Sequence, residues 1–271
     1  MNKNLRLIIS VSSDIGFNLA KKWINDGYTV YGTFRSQSKN IKELKKIGVK
    51  LFRCDLNNNL SIDNFVKKLR KIKWNVLVFA AGTQKPIGEF KKIKFLEWEK
   101  SISINFVKQF KILHNLLPLR YKNKNPIVIF FAGGGTNNAT LNYSSYTISK
   151  IACIKMCELL DAEIKDTRFT AIGPGWVKTK FHKQTLKSKS ISGENYFRTL
   201  KKFKDDNFYP MSKVIKCCDW LISSDRNLVG GRNFSAASDP WENKKINNIK
   251  KNDNYFKLRR YGNNIFKKLN N

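Results

Sequence analysis

Residues that bind metal ions or form disulfide bonds are scarce in this chain. Its 271 residues include two histidines and five cysteines, and the cysteines are Cys54, Cys153, Cys157, Cys217 and Cys218. An odd set of cysteines without paired metal-ligand spacing favours reduced thiols in a reducing compartment. We therefore predict no metal site and a cytoplasmic location.

Long apolar runs are also missing. No stretch of the sequence approaches the roughly 18 to 20 continuous apolar residues that a membrane-spanning helix needs. The first four residues lead directly into an apolar segment, without the small-residue cleavage site of a secretion signal. We expect no membrane span and a protein that stays in the cytoplasm.

Acidic residues and arginines are few compared with lysines. The chain has 20 acidic and 52 basic residues, of which 41 are lysines and 11 are arginines, and its net charge is +32. A basic surface can bind nucleic acid or an anionic membrane. However, arginine is the preferred residue for bidentate contacts to phosphates and bases, so its scarcity argues against specific nucleic-acid binding. Abundant lysine, asparagine and isoleucine instead resemble the codon bias of an A+T-rich genome.

Short apolar segments with the length of strands alternate with segments that have the period of helices. The predicted strands are residues 5–9, 28–33, 49–52, 76–78, 127–131, 169–172 and 233–236. Such an alternation predicts an α/β fold, a single-domain doubly wound parallel sheet with helices on both faces. We place this domain at residues 1–241 and a basic C-terminal tail at residues 242–271.

One internal segment, at about residues 180–210, lacks clean periodicity. It contains three serines and a glycine within residues 188–193. Because loops carry binding functions and can close over a ligand, we predict a mobile loop that covers a substrate.

Tyr146 and Lys150 form the most informative pair of side chains. They are four positions apart, so they lie on one face of a helix, between the predicted strands 127–131 and 169–172. Hydride transfer to a carbonyl leaves an alkoxide that needs a proton, and a phenol can supply it. A lysine ammonium one turn away stabilises the phenolate. The same spacing also arises by chance on a solvated face of a lysine-rich helix.

The N-terminal segment predicts a strand, a tight turn and a helix. Residues 10–16 are small and polar, and the helix after them has an apolar face. The free backbone N–H groups and the positive end of a helix dipole suit a pyrophosphate. The alternative interpretation is a capped helix start without a ligand.

Together these segments resemble the short-chain dehydrogenase/reductase family over residues 5–241. The resemblance implies a Rossmann fold and an NAD(P)-dependent oxidoreductase. The family's cofactor turn, Thr-Gly-x-x-x-Gly-x-Gly, corresponds to residues 9–16, in which Ser10 and Asp14 replace the first two glycines. By this resemblance the residues of the turn that bind the cofactor are Ser10, Ser12, Ser13, Asp14, Ile15 and Gly16.

Further segments resemble the family in the order in which its motifs occur. The resemblance implies that Asp55, beside Leu56, accepts the adenine amino group, and that Asn105 holds a water for proton relay. Lys150 would also bind the nicotinamide ribose. The remaining implied cofactor contacts come from two segments, one resembling the family's Asn-Asn-Ala-Gly motif and one that closes over the nicotinamide. They are Ala80, Ala81 and Gly82, then Pro174, Gly175, Val177 and Thr179.

The family's catalytic serine is missing. It lies thirteen residues before the tyrosine, and that position is Gly133. Thr136, Asn137 or backbone N–H groups of residues 133–135 could hold the substrate oxygen instead, and Thr136 is our first choice. The alternative is that catalysis has been lost.

The end of the second strand indicates which cofactor is bound. Enzymes that use NAD usually present a carboxylate there to the ribose 2′-hydroxyl. This chain has Arg35 and Ser36 and no acid, so the pair could bind a 2′-phosphate. We predict NADP, with NAD as the alternative, although Arg35 could also be an ordinary exposed arginine.

These observations predict an NADP-dependent oxidoreductase that interconverts a carbonyl and an alcohol on a small substrate. Residues 230–241 resemble a branch of the family associated with surface-polysaccharide synthesis, which favours a sugar-like substrate. We expect a homodimer or homotetramer. The alternatives are an NADP-binding protein with impaired catalysis and a basic protein that binds surfaces.

Overall fold

The computed structural model describes residues 5–262, in which seven strands form one sheet. The strands are β1 (Leu5–Ile9), β2 (Thr29–Phe34), β3 (Lys50–Arg53), β4 (Val76–Phe79), β5 (Ile127–Phe131), β6 (Arg168–Gly173) and β7 (Asn233–Ser235). All neighbouring strands are parallel, in the order β3-β2-β1-β4-β5-β6-β7. The predicted doubly wound parallel sheet is confirmed.

Ten α-helices connect and follow the strands within the described residues. They are α1 (Asp14–Asn25), α2 (Lys39–Lys46), α3 (Asn59–Lys68), α4 (Phe95–Ile102), α5 (Lys108–Leu116), α6 (Ser144–Glu163), α7 (Lys183–Ser188), α8 (Glu194–Lys204), α9 (Met211–Ser223) and α10 (Arg226–Val229). A single π-helical turn, Ser103–Val107, joins α4 to α5.

Two hydrophobic cores lie on the two faces of the sheet. Ile8 of β1 belongs to the core that α1 and α9 cover, and its neighbour Leu7 belongs to the core that α3, α5 and α6 cover. Successive side chains of a strand point to opposite faces, so a strand buried on both faces is largely apolar. β1, β4 and β5 are buried at every position, and their one charged residue, Arg6 of β1, pairs with Asp219 of α9.

The strand order reverses at β1 and β4, and this reversal positions the candidate site. Ligands of doubly wound sheets bind where two neighbouring strands continue in opposite directions, beyond their carboxyl ends. Ile9 and Phe79, the last residues of β1 and β4, are paired in the register. The turn after β1 and the segment of Ala80, Ala81 and Gly82 therefore lie side by side.

Ser61, in the first turn of α3, is not the N-terminal cap of that helix. Asn58 caps the helix instead, because its side-chain oxygen accepts a hydrogen bond from the Ser61 backbone N–H at 3.1 Å. The Ser61 hydroxyl accepts from the Asp55 backbone N–H at 2.9 Å. Ser61 thus holds the segment that carries Asp55.

The segment expected as a loop at residues 180–210 is largely helical. It contains α7, α8 and two 3₁₀ turns, Lys180–His182 and Lys189–Ser192. It is attached to the domain by the Tyr143 hydroxyl, which lies 2.8 Å from the Thr185 hydroxyl. We refer to residues 177–193 as the covering segment.

Residues 242–262 pack onto the domain that precedes them. Ile246 and Ile249 are buried in the same core as α1 and α9, and the Asn233 backbone N–H donates to the Phe256 carbonyl oxygen at 2.8 Å. The domain's core therefore continues beyond residue 241, where we placed the start of the tail. Residues 263–271 of that tail lie outside the described part of the chain.

Two further findings concern residues 5–262 alone. No helix among them is long and apolar enough to cross a membrane. The five cysteines are buried free thiols, and these residues contain no cluster of three or more histidine, cysteine or carboxylate side chains arranged to hold a metal ion.

Candidate functional site

The turn after β1 leaves backbone donors free at the start of α1. The Ser13 hydroxyl accepts from the Gly16 backbone N–H at 3.0 Å and donates to the Ser10 carbonyl oxygen at 2.9 Å. The backbone N–H groups of Asp14 and Ile15 donate to no described residue. Free N–H groups at a helix start are suited to a phosphate.

The same turn keeps a glycine-like shape at residue 10, where a serine replaces a glycine. Ser10 has a φ of +72°, in the left-handed region that glycine adopts readily. A Cβ on Gly16 would stand 2.5 Å from the Ser10 carbonyl oxygen, so only glycine fits at that position. The sequence departs from the glycine-rich pattern at residue 10, but the backbone conformation does not.

Asp14 does not cap its own helix. Its Oδ2 accepts a hydrogen bond from the Lys180 backbone N–H at 2.6 Å, and its Oδ1 lies 3.8 Å from the Lys180 ammonium. The ammonium also donates to the Ser12 carbonyl oxygen. The Asp14 carboxylate therefore faces the covering segment, and the two elements meet above the turn.

The end of β2 carries exposed cations. Arg35 and Ser36 follow β2 directly, both are exposed, and the Arg35 guanidinium makes no hydrogen bond or ion pair with residues 5–262. Next to them, Gln37, Ser38, Lys39 and Lys42 line a shallow cavity of about 340 Å³. Lys39 and Lys42 add positive charge that the sequence analysis did not assign to the site.

Asp55 follows β3 and is held in a tight turn. Its Oδ1 accepts from the Asn57 backbone N–H at 3.0 Å and from the Asn57 side-chain amide at 3.3 Å. Asp55 and Leu56 are both half-buried. The second carboxylate oxygen of Asp55 accepts no hydrogen bond from the described residues, so it is available to an amino group.

Asn105 lies in the π-helical turn and is fully buried. Its Oδ1 accepts from the Thr83 backbone N–H at 2.8 Å, and its Nδ2 donates to the Thr83 carbonyl oxygen at 2.8 Å and to the Ser101 hydroxyl at 3.2 Å. A π-turn, a feature common at functional sites, places this side chain against the segment after β4.

Lys150 is buried on α6 and points toward the carboxyl ends of the strands. Its Nζ donates to the Phe131 carbonyl oxygen at 2.8 Å and lies 5.8 Å from the centroid of the Tyr146 ring. Burial lowers the pKa of the Lys150 ammonium. Burial likewise raises the pKa of the Tyr146 phenol, so the neutral phenol is favoured.

Tyr146 packs directly against Gly133. A Cβ on Gly133 would stand 2.5 Å from the Tyr146 Oη and 2.8 Å from its Cζ. The Tyr146 hydroxyl thus occupies the space that a side chain at residue 133 would need. Thr136, three residues further on, is half-buried, and its hydroxyl forms no hydrogen bond with the described residues.

Side chains from three elements converge around Gly82. A Cβ at Gly82 would lie 3.7 Å from the Asn105 Oδ1, 3.8 Å from the Lys150 Nζ and 3.7 Å from the Phe181 Cε2. The Phe181 ring also lies 5.5 Å from the Tyr146 ring. Phe181 of the covering segment therefore occupies space between the Tyr146 and Lys150 pair and the segment after β4.

The segment after β6 leads from the sheet into the covering segment. Gly175 has a φ of +75°, and Val177, which is buried, donates its backbone N–H to the Gly175 carbonyl oxygen at 3.1 Å. Pro174 and Thr179 are half-buried. The four predicted residues of this segment therefore lie at the same edge of the sheet as the turn after β1.

Sequence reasoning missed two residues that lie within the site. Lys180 contacts the turn after β1, which is 166 residues away along the chain, and Phe181 contacts Tyr146 and Gly82. Both follow Thr179 directly. Only their place after a predicted nicotinamide-closing segment could have drawn attention to them, since neither belongs to a motif.

Comparisons with known proteins agree with this geometry. A family model for the short chain dehydrogenases matches residues 4–190. The human mitochondrial protein named dehydrogenase/reductase SDR family member 2 is 25% identical over 244 residues, which cover 85% of this chain and 84% of that protein.

Solved structures share the fold. A crystal structure of a short chain dehydrogenase/reductase from Saccharomyces cerevisiae has a TM-score of 0.74 and 22% identity, covering 88% of this chain and 98% of that chain. An actinorhodin polyketide ketoreductase variant crystallised with NADPH has a TM-score of 0.72 and 19% identity, covering 86% and 95%.

Proposed function

This chain belongs to the short-chain dehydrogenase family of oxidoreductases, and we propose that it is an NADP-dependent enzyme that interconverts a carbonyl and an alcohol. The observation that carries the proposal is the convergence of Lys150 and Asn105 at Gly82, with the Tyr146 ring 5.8 Å from the Lys150 Nζ. An acid, a cation that can tune it and a buried amide then lie together at the strand ends, where such folds bind ligands.

The described residues fit a dinucleotide. The free N–H groups of Asp14 and Ile15 suit its pyrophosphate, the unpaired Arg35 with Ser36 suits a 2′-phosphate, and Asp55 has an oxygen free for the adenine amino group. When bound, the nicotinamide supplies or accepts the hydride. Phe181 is the obstacle, since its ring would have to leave the space beside Gly82.

Tyr146 is proposed as the proton donor and Lys150 as the cation that tunes it. Because burial raises the pKa of the phenol, Tyr146 holds its proton at neutral pH, which suits carbonyl reduction. Lys150 is held by the Phe131 carbonyl oxygen and would also bind the nicotinamide ribose. The proton relay through a water near Asn105 belongs to this proposal.

Thr136 is proposed to hold the substrate oxygen in place of the missing serine. Its hydroxyl is unpaired among the described residues, and the glycines before it allow the loop to approach Tyr146. A sugar-like substrate, a cytoplasmic location and a homo-oligomer remain predictions from the sequence.

An NADP-binding protein with impaired catalysis is the second candidate function. It is favoured by the position of Phe181 beside Gly82 and by the lack of a hydroxyl at residue 133. Titration of the purified protein with NADPH and NADH, followed by a screen of sugars and simple ketones for NADPH loss, separates the two. Tight NADPH binding without turnover of any substrate supports impaired catalysis.

Arg35 should determine the preference for NADPH over NADH. We expect Arg35→Ala to weaken NADPH binding by about one to two orders of magnitude, because one charge-assisted hydrogen bond is worth roughly 1.5 to 3 kcal/mol. NADH binding should barely change. Isothermal titration calorimetry measures both dissociation constants. Arg53→Ala, which changes an exposed arginine at the end of β3, serves as the control. If the wild type binds both cofactors equally well, Arg35 has no such role.

Phe181 should compete with the cofactor. In Phe181→Ala the ring no longer has to be displaced, so we expect apparent NADPH binding to become roughly fivefold tighter, the gain expected when a binding-competent state becomes more populated. Fluorescence titration measures the affinity. Phe197→Ala, at an exposed position of α8, should leave it unchanged. Weaker binding in Phe181→Ala would mean that the ring supports the bound cofactor instead.

A further inference from the structure

One departure from the glycine-rich turn, Asp14, lies opposite a lysine of the covering segment. Asp14 replaces a glycine and brings a carboxylate to the place where a pyrophosphate would bind. Lys180, from the covering segment, places its ammonium 3.8 Å from that carboxylate and donates to the Ser12 carbonyl oxygen of the same turn. A negative charge beside a phosphate site is unfavourable unless a cation offsets it.

The Lys180 backbone fixes this arrangement. The Lys180 N–H donates to the Asp14 Oδ2 at 2.6 Å. The Asp14 carboxylate therefore holds the covering segment in place while the Lys180 side chain reaches the turn. The Asp14 side chain is 25% exposed and that of Lys180 is 56% exposed. The ammonium is therefore partly accessible, and it contacts the same turn that carries the free backbone N–H groups of Asp14 and Ile15.

We propose that Lys180 is a cofactor-binding residue, which supplies a positive charge to the pyrophosphate of the dinucleotide and offsets the charge of Asp14. Asp14 is the positioning residue that holds Lys180 over the turn. The proposal rests on the proposed function, because it requires that the turn after β1 binds a dinucleotide.

The geometry also explains how a turn that has lost two glycines can still receive a phosphate. Gly16 and the left-handed Ser10 keep its backbone shape, but they add no charge. Lys180 supplies from a distant segment the positive potential that Asp14 removes. Lys180 would therefore both hold the covering segment against the turn and bind the cofactor.

The test compares Lys180→Met with Lys178→Met. Lys178 is the matched control, since it lies in the same segment, has a side chain 57% exposed and pairs with Asp206 instead of the turn. We expect Lys180→Met to weaken binding of NADPH about tenfold and Lys178→Met to change it less than about twofold, because only the first variant removes a charge-assisted contact to phosphate. Calorimetry with NADPH, and with inorganic pyrophosphate as a competitor, measures the binding without turnover.

Three further results decide the proposal. Lys180→Arg should keep NADPH affinity within about threefold of the wild type, because the charge is retained. The affinity lost in Lys180→Met should be less at high salt, where charge contacts are screened. Adding Asp14→Asn to Lys180→Met should recover part of the affinity, since it removes the carboxylate that is left without its cation.

The outcomes separate this proposal from the proposed function. If the wild type does not bind NADPH, dinucleotide binding itself is rejected. If the wild type binds NADPH and Lys180→Met equals Lys178→Met, the role of Lys180 is rejected and dinucleotide binding stands. Tighter binding in Lys180→Met also overturns the proposal, because the lysine would then act as an obstacle to the cofactor.

Discussion

Replacing Tyr146 by phenylalanine is expected to lower turnover by about two to four orders of magnitude, the usual contribution of a positioned acid or base. NADPH affinity should stay close to that of the wild type, because the variant keeps the ring that packs against Phe181 and loses only the hydroxyl. Steady-state rates with a substrate found by screening, together with calorimetric titration of NADPH, measure the two effects separately.

Tyr121→Phe is the matched control for this experiment. Tyr121 follows Arg120, and its backbone N–H donates to the Trp74 carbonyl oxygen at 2.9 Å, just before β4 begins. It therefore lies at the opposite edge of the sheet from Tyr146. We expect turnover in Tyr121→Phe to match the wild type. Turnover retained in Tyr146→Phe would reject the assignment of the proton donor.

The second large effect concerns Gly133. Any side chain there would bring a Cβ to 2.5 Å from the Tyr146 Oη, so the phenol would have to move. Displacement of a catalytic group by about 1 Å can cost on the order of a hundredfold in rate. We expect Gly133→Ala and Gly133→Ser to lower turnover by about this factor, and overpacking to destabilise the fold by roughly 1–3 kcal/mol.

The control for this pair is Gly134→Ala. A Cβ at Gly134 would meet no atom within 4 Å, so turnover and the urea midpoint of unfolding should be close to the wild type. A large gain of turnover in Gly133→Ser but not in Gly133→Ala would contradict our expectation. It would show that a serine hydroxyl can be accommodated and that the natural chain lacks an adequate donor, which favours impaired catalysis.

Much of the fold is predictable because it depends on local patterns. Strands buried on both faces have to be largely apolar, so β1, β4 and β5 stand out in the sequence. The covering segment was harder to predict from the sequence. Its helix α7 has only six residues, and stability in such short helices comes from packing, which a local pattern does not record.

Some features of the candidate site can likewise be predicted from the sequence, and others cannot. The spacing of Tyr146 and Lys150 and the missing hydroxyl at Gly133 are visible in the sequence alone. The fit of the Tyr146 hydroxyl against Gly133 is not, since it depends on how α6 packs beside the end of β5. The contact alone makes a loss of turnover the expected result of Gly133→Ser.

The sequence by itself determined the alternation of strands and helices and the family, and it predicted a candidate acid and base pair, because periodicity and spacing act over a few residues. Only the tertiary structure decided that Lys180 lies over Asp14 and that Phe181 lies beside Gly82. These contacts join segments about a hundred or more residues apart, and they depend on the parallel sheet bringing the carboxyl ends of its strands to one edge.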